Sequence, residues 1–163
     1  MKTVAVDAMG GDHAPAAIVE GAVAAVRELR IPVVLVGARD RIERELAKHG
    51  AEGLGIAIRH AAETVAMDES PVVALRRKKD SSIRVALDLV RSGECAAFVS
   101  AGNSGAVMAS AVMLLGNLGG VDRPAIALEI PSARGGYVTL LDAGANVDCT
   151  PLNLVQFAVM GDV

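Results

Sequence analysis

Aliphatic residues fall along this chain in short continuous runs, separated by stretches in which they recur at helical spacing. That alternation predicts buried parallel strands joined by helices. TVAVD, from Thr3 to Asp7, reads as a first strand. Beyond a glycine turn, Ile18, Ala22, Ala25, Val26 and Leu29 share one helical face behind Pro15. PVVLVG, from Pro32 to Gly37, predicts a second strand, followed by a short helix with Asp40 as N-cap, Glu43 three residues on and Gly50 as its stop. A third strand is expected over Ile56 to Ala61, followed by an exposed loop that closes at Pro71, where a short helix carries the run RRKKD.

The second part of the chain repeats this grammar. Ser81 or Ser82 can cap a helix with Ile83, Ala86, Leu87 and Val90 on one face and Gly93 at its end. Strand Ala96 to Ala101, helix Ser104 to Leu118, and strands Ala125 to Ile130 and Tyr137 to Asp142 follow. Thr150 and Pro151 form a cap-plus-first-position signal for a last helix, which stops beside Gly161 after about three turns, so a longer chain is expected. The whole predicts an α/β domain over residues 1–163, with a largely parallel sheet between two helical layers. No internal boundary is expected.

Composition narrows the class. Hydrophobic residues make up 52% of the chain and aromatic ones only 2%, so the core must be built from small aliphatic side chains that suit helix-on-sheet packing. A net charge of −3 argues against nucleic acid as a partner. Cys95 and Cys149 match no metal-ligand spacing, no secretory signal is present, and the longest apolar stretch is far short of the ~20 residues needed to span a bilayer. A reducing, cytoplasmic setting follows.

Three loops share one design, in which an apolar strand ends in a small or acidic residue and gives way to glycines. They are DAMGGDHAP at Asp7 to Pro15, SAGNSG at Ser100 to Gly105, and DAGAN at Asp142 to Asn146. Glycine lets the backbone approach a ligand, and the N–H groups opening a following helix favour an anion. In a parallel sheet such strand ends share an edge, so the loops can converge on one crevice that holds phosphate. The alternative is that each loop merely connects strand to helix.

Other chemistries find little support. The chain has neither GxGxxG nor GxxxxGK[ST] nor a GxSxG elbow, since Ser104 sits in GNSG. The run Arg76, Arg77, Lys78 and Lys79, followed by Ser81 and Ser82, is either a solvated helix face or an anion clamp. His13 can exchange a proton near neutral pH or simply hydrogen-bond within its turn. Asp7, Asp12 and Asp142 could orient basic residues, and Asp12 could cap the helix that follows; a metal site would want more carboxylates in one place. No metal or cofactor is expected.

VDAMGGDHAP, PVVALRRKKDSS, SAGNSGA, DRPA and LLDAGANVDCTPLNLVQFAVMG, in that order from Val6 to Gly161, closely resemble the bacterial phosphate acyltransferases of phospholipid synthesis. The resemblance runs from end to end and covers about the N-terminal half of such an enzyme. It implies a three-layer fold like those of phosphotransacetylases and isocitrate- or isopropylmalate-type dehydrogenases. The implied activity is acyl transfer from acyl-(acyl carrier protein) to inorganic phosphate, in a homodimer able to associate peripherally with the membrane. Ser104 stands where the family often has Thr and keeps the hydroxyl, and Cys149 stands where Ala is common.

On that basis phosphate would lie among the backbone N–H groups of Gly10, Gly11, Asp12 and His13 and of Gly102 to Gly105, with Asn103 and Asn146. Lys78 or Lys79, with Arg77 and Ser81, would neutralise its charge. Asp7, Ser100, Ser104, Asp142 and Gly144 complete the expected binding residues, and His13 is the candidate for protonating the departing thiolate. Rival readings are a phosphotransacetylase using acyl-CoA and a non-catalytic phosphate- or acyl-binding module. A dehydrogenase is favoured only by fold kinship.

Overall fold

The computed structural model describes residues 2–162, which form two compact units divided between Leu115 and Gly116. The first unit is an α/β sandwich around a four-stranded parallel sheet ordered β3-β2-β1-β4. Its strands are β1 (Val4–Asp7), β2 (Val33–Gly37), β3 (Ala57–His60) and β4 (Ala97–Val99). Its helices are α1 (Ala16–Ala24, prolonged by a wider turn through Leu29), α2 (Arg39–Lys48), α3 (Pro71–Arg77), α4 (Ser82–Arg91) and α5 (Ser104–Leu115).

Strand alternation sorts the aliphatic residues into two layers. Val33 and Leu35 of β2 pack with Ala8, Val19, Ala22, Val23 and Ile42, on the side of α1 and α2. Ala5 and Val36 face the opposite way and pack with Ala86, Leu89 and Cys95, on the side of α4. The register pairs Val6 with Leu35 and Asp7 with Val36, so each layer draws the same parity from neighbouring strands. A third cluster, with Val65, Ala74, Ile83, Leu87 and Ala106, seats α3 and α5 on α4.

Several boundaries differ from expectation for local reasons. Ala38, in extended backbone, precedes α2, and Asp40 lies in the first turn instead of capping it. Ser81 is the cap of α4, its hydroxyl accepting the Arg84 N–H. Strand β4 ends at Val99, and the next residue, Ser100, donates its hydroxyl to Asp7. α5 ends at Leu115, before Gly116 in the left-handed region at φ 79°.

The second unit holds an antiparallel hairpin, β5 (Leu128–Pro131) and β6 (Tyr137–Leu140), and helix α6 (Pro151–Gly161). α6 starts with a reciprocal cap, in which the Thr150 hydroxyl accepts the Asn153 N–H and Asn153 Oδ1 accepts the Thr150 N–H at 3.0 Å. β5 starts later than expected because the Ile126 N–H goes to the Asp142 carboxylate, not to a partner strand. Among the described residues no helix is long and apolar enough to cross a membrane.

Candidate functional site

The order β3-β2-β1-β4 places the chain's reversal of direction between β1 and β4. Loops leaving these two strands diverge to opposite faces, toward α1 and toward α5, and open a crevice at the carboxyl ends of the strands. Two of the three glycine-rich loops meet there.

Asp7 ends β1 with its carboxylate only 1% exposed. It accepts the Met9 N–H at 3.0 Å on one oxygen and the Ser100 hydroxyl at 2.8 Å on the other. Ser100 Oγ in turn accepts the Gly102 N–H at 3.0 Å. A buried carboxylate needs such donors, because an unsatisfied one would carry the full desolvation penalty. Both loops are thereby clasped at their roots.

The glycines follow from this closeness. A Cβ on Gly10 would lie 2.5 Å from Asp7 Oδ2 and 2.8 Å from the Gly102 nitrogen. Gly11 has φ 101°, and a Cβ there would also press on the Ala101 carbonyl at 3.1 Å. Gly102 packs the other way, its Cβ position 3.1 Å from Gly10 Cα.

Asn103 does more than the loop pattern suggested. Its Oδ1 accepts the Ala106 N–H at 2.9 Å at the start of α5, and its amide donates to the carbonyls of Ala66, Met67 and Glu69 at 2.9 to 3.2 Å. Gly105 carries a second contact to the same segment, since a Cβ there would lie 2.8 Å from Pro71 Cγ. Residues 62–80 thus form a strap seated on α5. Its base is closed by Glu63 and Asp80, whose side chains accept the backbone N–H groups of Asp80 and Ala62.

The strap holds one of the expected cations inward. Lys78 donates to the Thr64 carbonyl at 2.6 Å and to the Glu69 carboxylate. The Lys78 hydrogen bond holds the Glu69 carboxyl below its ordinary range. Lys79 and Arg77 remain exposed, Lys79 touching only the Leu75 carbonyl at 3.3 Å. Asp12, His13 and Ser104 are exposed beside the crevice loops, while Ser81 is committed to its cap. The first-turn N–H groups of Ser104 and Gly105 have no acceptor within the helix, as at any helix start.

Asp142, Gly144 and Asn146 form a network of their own in the second unit. The Asp142 carboxylate accepts the N–H of Ile126 at 2.8 Å and of Asn146 at 2.6 Å, and Asn146 also donates to the Pro124 carbonyl at 3.0 Å. Burial raises the Asp142 pKa most strongly, but the combined donors from Ile126, Asn146 and Ala145 outweigh it and hold the carboxyl below its ordinary range. Gly144, at φ 89°, makes the turn.

Sequence reasoning missed Glu69, Glu63, Asp80 and the Pro71 contact with Gly105. They join a loop to helices distant in sequence, and no local periodicity marks such pairs.

A family model described as "Fatty acid synthesis protein" matches residues 2–163. The chain belongs to this family. It is 61% identical over 160 residues to the phosphate acyltransferase of Geobacter sulfurreducens, 59% to that of Geotalea uraniireducens and 58% to that of Syntrophotalea carbinolica. Each match covers 98% of this chain and 46% of the relative, so the chain spans about half the length of these family members. The clasped glycine loops therefore lie in the part that the chain shares with proteins named phosphate acyltransferase.

Proposed function

We propose that this chain forms the phosphate-holding part of an enzyme that transfers an acyl group from acyl-(acyl carrier protein) to inorganic phosphate. It would be the N-terminal part of a longer catalytic chain, acting as a cytoplasmic homodimer with peripheral membrane association. The observation that carries the reading is the Asp7–Ser100 clasp, which sets two glycine-rich loops against each other at the sheet's switch point. The relatives' name, phosphate acyltransferase, supports an acyl transfer that involves phosphate.

Phosphate is itself a nucleophile, so the reaction needs position and charge stabilisation and no serine or cysteine nucleophile. A phosphate oxygen attacks the thioester carbonyl, a tetrahedral oxyanion forms, and the carbon–sulfur bond breaks to release thiolate. Asp7, Ser100, Asn103 and Lys78 have their polar atoms engaged within the fold, and on this reading they position the loops. Phosphate contact would then fall to backbone N–H groups around Gly10 to His13 and Ser104 to Gly105, with Lys79 and Arg77 for charge. His13, exposed within the first loop, would protonate the leaving thiolate.

The test offers the full-length protein acyl-(acyl carrier protein) or acyl-CoA, each with inorganic phosphate, and measures acyl phosphate. Product from the carrier-borne thioester alone is expected. Preference for acyl-CoA would make the enzyme a phosphotransacetylase, and no product from either would leave a binding module.

A further inference from the structure

The strap presents an outer surface on which, Arg77 apart, no residue is used by the crevice chemistry. α3 buries Ala74 and turns Val72, Val73, Arg76 and Arg77 outward. Val72 and Arg76 lie one turn apart, as do Val73 and Arg77, so two apolar–cationic rows run side by side along the helix. Val72 is 55% exposed, Val73 41%, and Met67 on the neighbouring loop 51%. An apolar centre flanked by arginine, with methionine beside it, has the composition of a protein-recognition patch.

Charge gives the patch its sign. From Pro71 to Lys79 the chain carries no anion, and with Lys78 paired inward to Glu69 its exposed cations are Arg76, Arg77 and Lys79, in a protein whose net charge is −3. Of the surrounding acids, Glu69 is turned inward to Lys78, and Glu63 and Asp80 accept backbone N–H groups at the strap's base. Asp68 and Asp80 are exposed. Asn103 and the seat of Pro71 against Gly105 fix α3 to the start of α5, so the surface is preorganised and its position next to the crevice is set.

We propose that the outer face of α3, with Met67, is the docking surface for the acidic face of the carrier protein that delivers the acyl thioester. Carboxylates of the carrier would meet Arg76, and its apolar residues would cover Val72 and Val73. Because α3 abuts the loop from Ser100 to Gly105, a carrier seated there would present its thioester beside the bound phosphate. The proposal rests on the acyl-transfer reading for the identity of the partner.

Direct binding separates the two. Fluorescently labelled acyl carrier protein is titrated against the full-length protein, wild type and the pair Arg76→Glu and Val72→Ser, at low and at high salt. Wild-type binding that weakens with salt, and at least about tenfold weaker binding for each variant with unchanged unfolding temperature, is the expected result. That outcome supports the surface even if no acyl phosphate is ever formed. Absence of carrier binding by the wild type, or variants that bind like it, would overturn the proposal. So would variants that keep carrier binding but lose binding to vesicles of anionic phospholipid, which would make the face a membrane contact. The activity assay serves as control: a raised KM for phosphate in Arg76→Glu, with the KM for the carrier-borne thioester unchanged, would place Arg76 in the reaction site and reject docking.

Discussion

Asp7 and Ser100, 93 positions apart in the sequence, share a 2.8 Å hydrogen bond at the point where the sheet reverses its winding. The bond joins the ends of two adjacent parallel strands and commits both loops to one geometry before any ligand arrives.

Ser100→Ala removes the hydroxyl and leaves a buried carboxylate with only the Met9 N–H that it accepts now. A loss of about 1.5 to 3 kcal/mol is expected, the range for a hydrogen bond to a charged group. Urea unfolding of the two proteins measures it; a change below ~0.5 kcal/mol would mean that water replaces the serine and the clasp is dispensable.

Two glycines should respond in opposite directions. Gly10→Ala places a methyl group against Asp7 and the Gly102 backbone, an overpacking that costs about 1 to 3 kcal/mol. Gly21, inside α1, has nothing within 4 Å of its Cβ position, so Gly21→Ala should gain up to about 1 kcal/mol of helix propensity. Thermal unfolding of both variants in parallel checks the contrast, and equal shifts would contradict the close approach at Gly10.

Asn103→Ala should release the strap. Three carbonyls lose a donor and the start of α5 loses its cap, so protease cleavage near Met67 to Glu69 should quicken, with about 1 to 3 kcal/mol lost in stability. Asn103→Asp keeps the capping oxygen but cannot donate to the carbonyls. It should therefore restore α5 and still leave the strap open, a split visible in amide hydrogen exchange of the two segments.

The strap should also loosen in acid. The folded-state pKa of Glu69 lies below its ordinary value of 4.5, so the unfolded chain takes up a proton first as pH falls. The contribution of Glu69 is thus complete above 4.5 and is lost as pH drops through the lower folded value. Hydrogen exchange at residues 62–70, followed from neutral pH to about pH 3, should show this loss in wild type and a flatter profile in Glu69→Gln. Matching profiles would assign the acid response to other groups.

Lys79→Ala in the full-length enzyme should weaken phosphate use by about 1.5 to 3 kcal/mol, seen in the dependence of rate on phosphate concentration. Unchanged phosphate kinetics would remove Lys79 from the site.

Much of the first unit was legible because its signals are local. The aliphatic runs at Thr3 to Asp7 and Pro32 to Gly37, and the spaced residues after Ser81, specify strand and helix by periods of two and 3.6. The Thr150–Pro151 pair was readable as a cap, and the other cap was narrowed to Ser81 or Ser82, because a cap acts within three residues. Asp40 misled because an acidic residue suits the first turn of a helix as well as its cap.

The roles of the site residues required the fold. Asn103 and Lys78 looked like ligand-binding groups in sequence, yet their donors are spent on carbonyls and a carboxylate of the 62–70 segment. By itself the sequence determined an α/β chain of small aliphatic residues with glycine loops at its strand ends, because periodicity and turn chemistry depend on neighbours along the chain. Only the tertiary structure decided which polar groups face one another, since hydrogen bonds such as that from Ser100 to Asp7 exist once parallel strands are laid side by side, bringing distant positions within 3 Å.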